Sequence, residues 1–241
     1  MKNVSSIQGK KAIVTGGTKG IGRAIAKMLL EQGVAVAICA RSREDVDQAV
    51  RELREDTGGK ITGSTCDVSN PADIRKFYAF ADDTLAGLDI LVNNAGIGVF
   101  RSVGEMTPVE WQKTIDTNLT AVYHFCHLAM ERFKVSGGGF VVNISSLAGK
   151  NAFAGGAAYN ASKFGLNGFT EAMMLDHRSE NVRFCTVMPG SVSTNFSGVP
   201  DQAPWKIQPE DIAEVVRTVL EMPERTMVSC VEMRPSKPRK Q

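Results

Sequence analysis

Ala12-Ile13-Val14-Thr15-Gly16-Gly17-Thr18-Lys19-Gly20-Ile21-Gly22 reads as an apolar strand, a glycine-rich turn and the start of a helix. The strand is the run Ala12-Ile13-Val14, and the apolar spacing from Ile21 to Leu30 is helical. Glycines between them permit a tight turn, close approach of backbone to a pyrophosphate, and close packing of helix on strand. The helix start adds free N–H groups and a positive dipole end. A glycine turn can be only a turn, but its place after the first strand and before a helix predicts a phosphate cradle. Gly16, Thr18, Lys19, Gly20, Ile21 and Gly22 are its candidate residues. Its spacing is G-x-x-x-G-x-G and not G-x-G-x-x-G.

The alternation continues along the chain. Apolar runs at 34–39, 61–66, 90–92, 140–144, 182–187 and 227–233 alternate with helical patterns at 44–55, 72–85, 108–133, 159–178 and 210–221. The runs are rich in Val, Ile and Ala without strict alternation, as expected of strands buried on both faces. Repeated strand–helix units predict a doubly wound α/β fold of the Rossmann type. Seven parallel strands carry helices on both faces. No linker or repeat marks a boundary, so residues 1–241 are expected to form one domain.

The bulk properties narrow the functions. The chain has 241 residues, 43% of them hydrophobic, and a net charge of +2. That balance offers no bulk attraction to nucleic acid or to a membrane surface. No apolar run approaches the ~18 residues of a membrane span. The first residues, Met1 to Ser6, open no signal-peptide core. The five cysteines, 39, 66, 126, 185 and 230, lack C-x-x-C spacing and read as reduced thiols of a cytoplasmic protein. No metal set is apparent; His124 and His127, beside Cys126, read as packing or interface residues. The tail 234–241 reads as a solvated terminus.

A second phrase carries chemistry. In Tyr159-Asn160-Ala161-Ser162-Lys163 the phenol and the ammonium are four residues apart and share a helix face. An ammonium beside a phenol favours the phenolate, so Tyr159 is expected to titrate below the usual ~10 and to exchange protons near neutral pH. Alone, the pair could be a solvated surface pair. Ser146, thirteen residues before Tyr159, can supply a hydroxyl to the same oxygen.

Together with Asn93-Asn94-Ala95-Gly96, Asn118 and Pro189-Gly190, these motifs closely resemble the short-chain dehydrogenase/reductase family, in its short single-domain branch. The resemblance runs from about Gly9 to Met233, with the motifs in the family's order and spacing. It implies reversible hydride transfer between a nicotinamide cofactor and a carbonyl/alcohol pair. Tyr159 would be acid and base, and Lys163 would tune it and bond the nicotinamide ribose. Ser146 would polarise the carbonyl, selected over Ser145 by the family's spacing. Asn118 would hold a water that links Lys163 to solvent. The resemblance also implies a homodimer or homotetramer, paired through the Tyr159 helix and the helix before it.

The cofactor follows from charge. After the second strand no carboxylate stands where an NAD enzyme commonly binds the ribose 2′-OH; Ala40-Arg41-Ser42-Arg43 stands there instead. Arg41, with Lys19 in the glycine loop and a hydroxyl from Ser42, suits a 2′-phosphate and predicts NADP(H). The other contacts are what the family resemblance implies: Asp67-Val68 would contact the adenine, unless Asp67 is a turn residue, Asn94 and Gly96 would shape the cleft, and Pro189, Gly190, Val192 and Thr194 would reach the carboxamide and phosphates. Phe100, Ala152, Phe153 and Trp205 are candidate substrate walls. The segment 195–208, with Phe196, Val199, Pro200 and Pro204, makes a short lid over an open, partly apolar pocket. The expected substrate is a small carbonyl or alcohol. A 3-oxoacyl carrier-protein reductase is the alternative, disfavoured by a last strand without Asp-Gly-Gly. A silent NADP-binding regulator is a third reading, which the complete set Asn118, Ser146, Tyr159 and Lys163 opposes.

Overall fold

The computed structural model describes residues 5–194, 196 and 203–237. Seven strands form one sheet, all parallel, in the order β3-β2-β1-β4-β5-β6-β7. In chain order these are β1 (Lys11–Thr15), α1 (Gly20–Glu31), β2 (Ala35–Ala40), α2 (Arg43–Thr57), β3 (Ile61–Thr65), α3 (Pro71–Leu85) and β4 (Ile90–Asn93). There follow α4 (Pro108–Ile115), α5 (Ala121–Ser136), β5 (Gly139–Ile144), α6 (Ala157–His177), β6 (Val182–Pro189), α7 (Pro209–Leu220) and β7 (Cys230–Met233).

The period of two along each strand divides the core. Ile13, Leu91 and Val141 point into one layer with Phe77 and Tyr78 of α3 and Phe125 of α5. Their neighbours Val14, Val92 and Val142 point into the other, with Ile25 and Leu29 of α1 and Val216 of α7. Both layers are closed to water, which explains why the strands read as continuous apolar runs. Four thiols, Cys39, Cys66, Cys126 and Cys185, are buried and free, and Cys230 is exposed. Among the described residues no helix is long and apolar enough to cross a membrane, and no group of side chains could hold a metal ion.

Two departures from the sequence reading matter. The helix expected over 108–133 is interrupted by a π-turn at Asp116–Thr120, separating α4 from α5. The last strand begins at Cys230 rather than at 227. Winding turns direction between β1 and β4, which are neighbours in the sheet. The crevice above their carboxyl ends is where open α/β sheets bind ligands.

Candidate active site

The cradle is built by steric exclusion. Gly16 has φ of +65°. A Cβ on Gly22 would fall 2.3 Å from both the Asn94 Nδ2 and the Gly16 carbonyl oxygen. Only glycine lets α1 start this close to β1. Asn94 then pins the turn: its Nδ2 donates to the carbonyls of Thr15 (2.9 Å) and Gly16 (3.2 Å). The Thr15 hydroxyl oxygen accepts from the N–H groups of Asn94 and Ala95. Asn94 thus shapes the cleft by locking the glycine loop to the β4 turn.

The α1 terminus also differs from its neighbours. Ser42, Asn70 and Thr107 cap α2, α3 and α4 with side-chain oxygens. At α1, Lys19 provides no side-chain cap and no acid stands in the first turn. Free N–H groups and a positive dipole end there fit an anion. Arg41 and Lys19 are exposed, and Ser42 keeps its hydroxyl hydrogen while its oxygen accepts from Asp45 N–H at 3.1 Å. Asp67 takes the turn role too, its carboxylate accepting from the N–H (3.0 Å) and the hydroxyl (2.7 Å) of Ser69. Burial pushes that carboxyl up, but the Ser69 bonds and the charges of Arg41 and Lys113 hold it below its ordinary range. Val68 is buried beside it.

Beyond β6, Gly190 N–H donates to the Met233 carbonyl at 2.8 Å. Val192 pairs with Ile207 as an isolated bridge, so the segment from Pro189 to Thr194 is held over the crevice. Thr194 reaches the cradle: its methyl would lie 3.4 Å from a Cβ on Gly20. Val199 and Pro200 lie outside the described residues.

The reacting side chains come from β5, α6 and the π-turn. Lys163 is buried, and its Nζ donates to the Ile144 carbonyl at 2.9 Å and lies 5.8 Å from the Tyr159 ring centre. Burial pulls its ammonium down to about 8. Burial also raises the Tyr159 phenol above its ordinary value, against the lowering effect of a hydrogen bond with Ser146. This reverses the expectation of a lowered phenol. Both partners lose water together, and Lys163 turns its ammonium to a backbone carbonyl. The two serines separate as alternation requires. Ser146 faces Tyr159, while Ser145 is buried with its hydroxyl unpartnered.

Asn118 sits in the π-turn, buried, with both ends of its amide engaged. Its Oδ1 accepts from Ile97 N–H at 2.8 Å, and its Nδ2 donates to the Ile97 carbonyl (2.9 Å) and to the Ser162 hydroxyl (3.1 Å). The amide therefore holds the segment after β4 against α6. Gly96 lies between Asn118 and Lys163, where a Cβ would meet Oδ1 at 3.3 Å and Nζ at 3.9 Å.

Sequence reasoning missed the support beneath this site. Asn93 Nδ2 donates to Asn143 Oδ1 at 2.9 Å, and Asn143 Nδ2 donates to the Thr170 hydroxyl at 2.8 Å. This buried polar ladder ties β4 and β5 to α6. The available signal was Asn143 itself, a polar residue inside the apolar run of β5. Ser162 was also overlooked; its hydroxyl donates to the Tyr159 carbonyl at 2.7 Å. Of the wall candidates, Phe100 stands at Tyr159 together with Phe196, and Phe153 packs on Phe100. Trp205 does not join them and packs against Lys206. His124 and His127 gather on Tyr123, and Phe169, Met173 and Met174 pack on the core.

Known proteins are similar to this chain in sequence and fold. The family model for short chain dehydrogenases matches residues 10–203. A 3α-hydroxysteroid dehydrogenase of Mediterraneibacter gnavus is 35% identical over 219 residues, covering 86% of this chain and 88% of that protein. A 3-oxoacyl-[acyl-carrier-protein] reductase of Chlamydia muridarum is 35% identical, covering 80% and 78%. A metagenomic short-chain oxidoreductase solved in complex with NADP superposes with a TM-score of 0.85 at 36% identity, over 97% of this chain and 100% of that one. With its parallel sheet, its glycine cradle and a Tyr159–Lys163 pair facing Ser146, this chain belongs to the short-chain dehydrogenase/reductase family.

Proposed function

We propose that this protein is an NADP(H)-dependent oxidoreductase interconverting a carbonyl and a secondary alcohol. The observation that carries the reading is the half-buried Tyr159, bonded to Ser146 with the Lys163 ammonium 5.8 Å from its ring. It lies in the first turn of α6, facing Ser146 just beyond the carboxyl end of β5. The solved relative with NADP supports the cofactor, as do the uncapped α1 and the exposed Arg41 and Lys19. Gly16, Thr18, Gly20, Ile21 and Gly22 would hold the pyrophosphate. Arg41, Lys19 and Ser42 would hold the 2′-phosphate, and Asp67 and Val68 the adenine. Asn94, Gly96, Pro189, Gly190, Val192 and Thr194 would line the rest.

When bound, the nicotinamide supplies or accepts the hydride. The chain manages the proton. In reduction the Tyr159 hydroxyl gives its proton to the carbonyl oxygen, and Ser146 donates a hydrogen bond to that same oxygen. A phenol raised by burial is protonated at neutral pH and ready as an acid. The Lys163 ammonium then stabilises the phenolate, and at about 8 it can itself pass a proton on in the working range. Asn118 positions α6 through Ser162. An assembly of two or four copies through α5 and α6 belongs to this reading, supported by exposed Tyr123, Phe164 and Leu175.

The test is NADPH oxidation with a panel of ketones, aldoses and acetoacetyl thioesters. Tyr159→Phe is expected to lower turnover by about a thousandfold while NADPH binding stays within about threefold. Substantial residual reduction by this variant refutes the assignment. Tight NADPH binding without turnover of any substrate favours the regulator. The carrier-protein reductase named above keeps the thioester in the panel, as its 35% identity warrants.

A further inference from the structure

Two aromatic rings meet Tyr159 and a third backs one of them, each from a different connection of the fold. Phe100 comes from the segment after β4, Phe153 from the segment after β5, and Phe196 from the segment after β6. Phe100 stands edge-on to Tyr159 with ring centres 5.6 Å apart, and Phe196 is tilted against it at 5.8 Å. Phe153 packs on Phe100 at 5.8 Å. Their closeness depends on Gly98, where a Cβ would fall 2.7 Å from both Phe100 and Phe196. Yet the rings are not core: Phe100, Phe153 and Phe196 are 47%, 46% and 44% exposed. An apolar cluster of this kind, placed beside a proton donor, is a surface for a ligand.

Apart from Lys163 over Tyr159 itself, cations stack on Tyr78, Phe140 and Trp205, and among the described residues none stands over Phe100, Phe153 or Phe196. The cations nearest in sequence are already neutralised. Arg101 bonds Glu110 at 2.8 Å, and Lys150 pairs with Glu232. An acidic carrier protein would find no unpaired cation at these two positions, and an anionic or sugar substrate would find no matching group on the rings.

We propose that these rings select a flat aromatic ketone, or its benzylic secondary alcohol, as a free small molecule. The proposal rests on the carbonyl–alcohol reading above. Offset or edge-on ring pairs add about two- to tenfold each beyond the area they bury. The carbonyl of an aryl ketone lies in the plane of its ring, so a ring held against Phe100 and Phe153 brings that oxygen toward Tyr159 and Ser146. Hydride reaches the carbonyl carbon from NADPH, which is oxidised. The oxygen takes the Tyr159 proton, giving the alcohol.

The test compares acetophenone with cyclohexyl methyl ketone, which has the same skeleton without aromaticity, and with an acetoacetyl thioester. With NADPH, acetophenone is expected to exceed the cyclohexyl ketone in kcat/KM by about tenfold or more, although conjugation makes it the less electrophilic. Phe153→Leu is expected to lower that ratio about fivefold, mainly through KM. Should that variant misfold by circular dichroism, Phe100→Leu gives the same readout. Equal kcat/KM for the two ketones, preference for the thioester, or a ratio unchanged in the folded variants overturns the aromatic selection and leaves the reaction standing. No NADPH oxidation with any carbonyl sinks the reaction and the selection together.

Discussion

The two halves of the crevice are made by different physics. On the β1 side, backbone does the work. Gly22 admits no Cβ, α1 is left uncapped, and Asn94 holds the loop by bonding two main-chain carbonyls. On the β5 side, side chains do it. Lys163 and Asn118 are buried and hold backbone carbonyls, and Asn93, Asn143 and Thr170 form a polar ladder under them. A backbone cradle tolerates little change in shape but carries no costly buried charge. A buried side-chain network carries an ammonium in an apolar setting and must be satisfied at each member. Binding should therefore fail through sterics on one side, and catalysis through electrostatics on the other.

The largest effect is expected from the network. Lys163→Met should lower turnover by about a thousandfold. It should also change how stability follows pH. Below about 8 the folded and the unfolded chain both hold the lysine proton, and the wild type bears the full cost of the buried charge. Between 8 and the ordinary 10.5 only the unfolded chain holds it, so wild-type stability rises relative to the variant as pH increases. The span corresponds to roughly 3 kcal/mol at about 1.4 per pH unit. Melting temperatures of both proteins across this range check it; parallel curves would show that Lys163 is not held in a desolvated site.

The cradle should respond next. Gly22→Ala must displace both the Asn94 amide and the Gly16 carbonyl, or move α1. Overpacking of this kind costs about 1–3 kcal/mol, and NADPH affinity should fall by roughly ten- to a hundredfold. A fluorescence titration reads it, and affinity within twofold of the wild type would mean the loop yields. Arg41→Asp should have the smallest effect, because the side chain is exposed and screened. The wild type is expected to prefer NADPH to NADH by about a hundredfold in kcat/KM, and the variant to lose about tenfold of that. An unchanged ratio would place the 2′-phosphate elsewhere.

Legibility follows the same division. Gly16, Gly20 and Gly22 could be read because one backbone shape allows few residues. The central β-strands could be read because burial on both faces leaves mostly apolar residues. Tyr159 and Lys163 could be read because a helix fixes the spacing of its own face. The π-turn could not, because nothing local marks the extra residue; Asn118 bonds Ile97, 21 positions away. Asn143 and Thr170, 27 positions apart, escaped for the same reason. The direction of the Tyr159 shift was misread because spacing reports proximity to Lys163 but not loss of water.

From the sequence came the parallel α/β alternation, the glycine turn between β1 and α1, and the shared helix face of Tyr159 and Lys163. All are set by residues near one another in the chain, or by periodicity. Folding added what depends on distant segments meeting. It buried Lys163 beside a half-buried Tyr159, spent the Asn118 amide on Ile97, and brought Phe100 and Phe196 onto one phenol with Phe153 behind Phe100. Such contacts form only when separate strands end at the same edge of a sheet, and desolvation depends on every segment that covers the site.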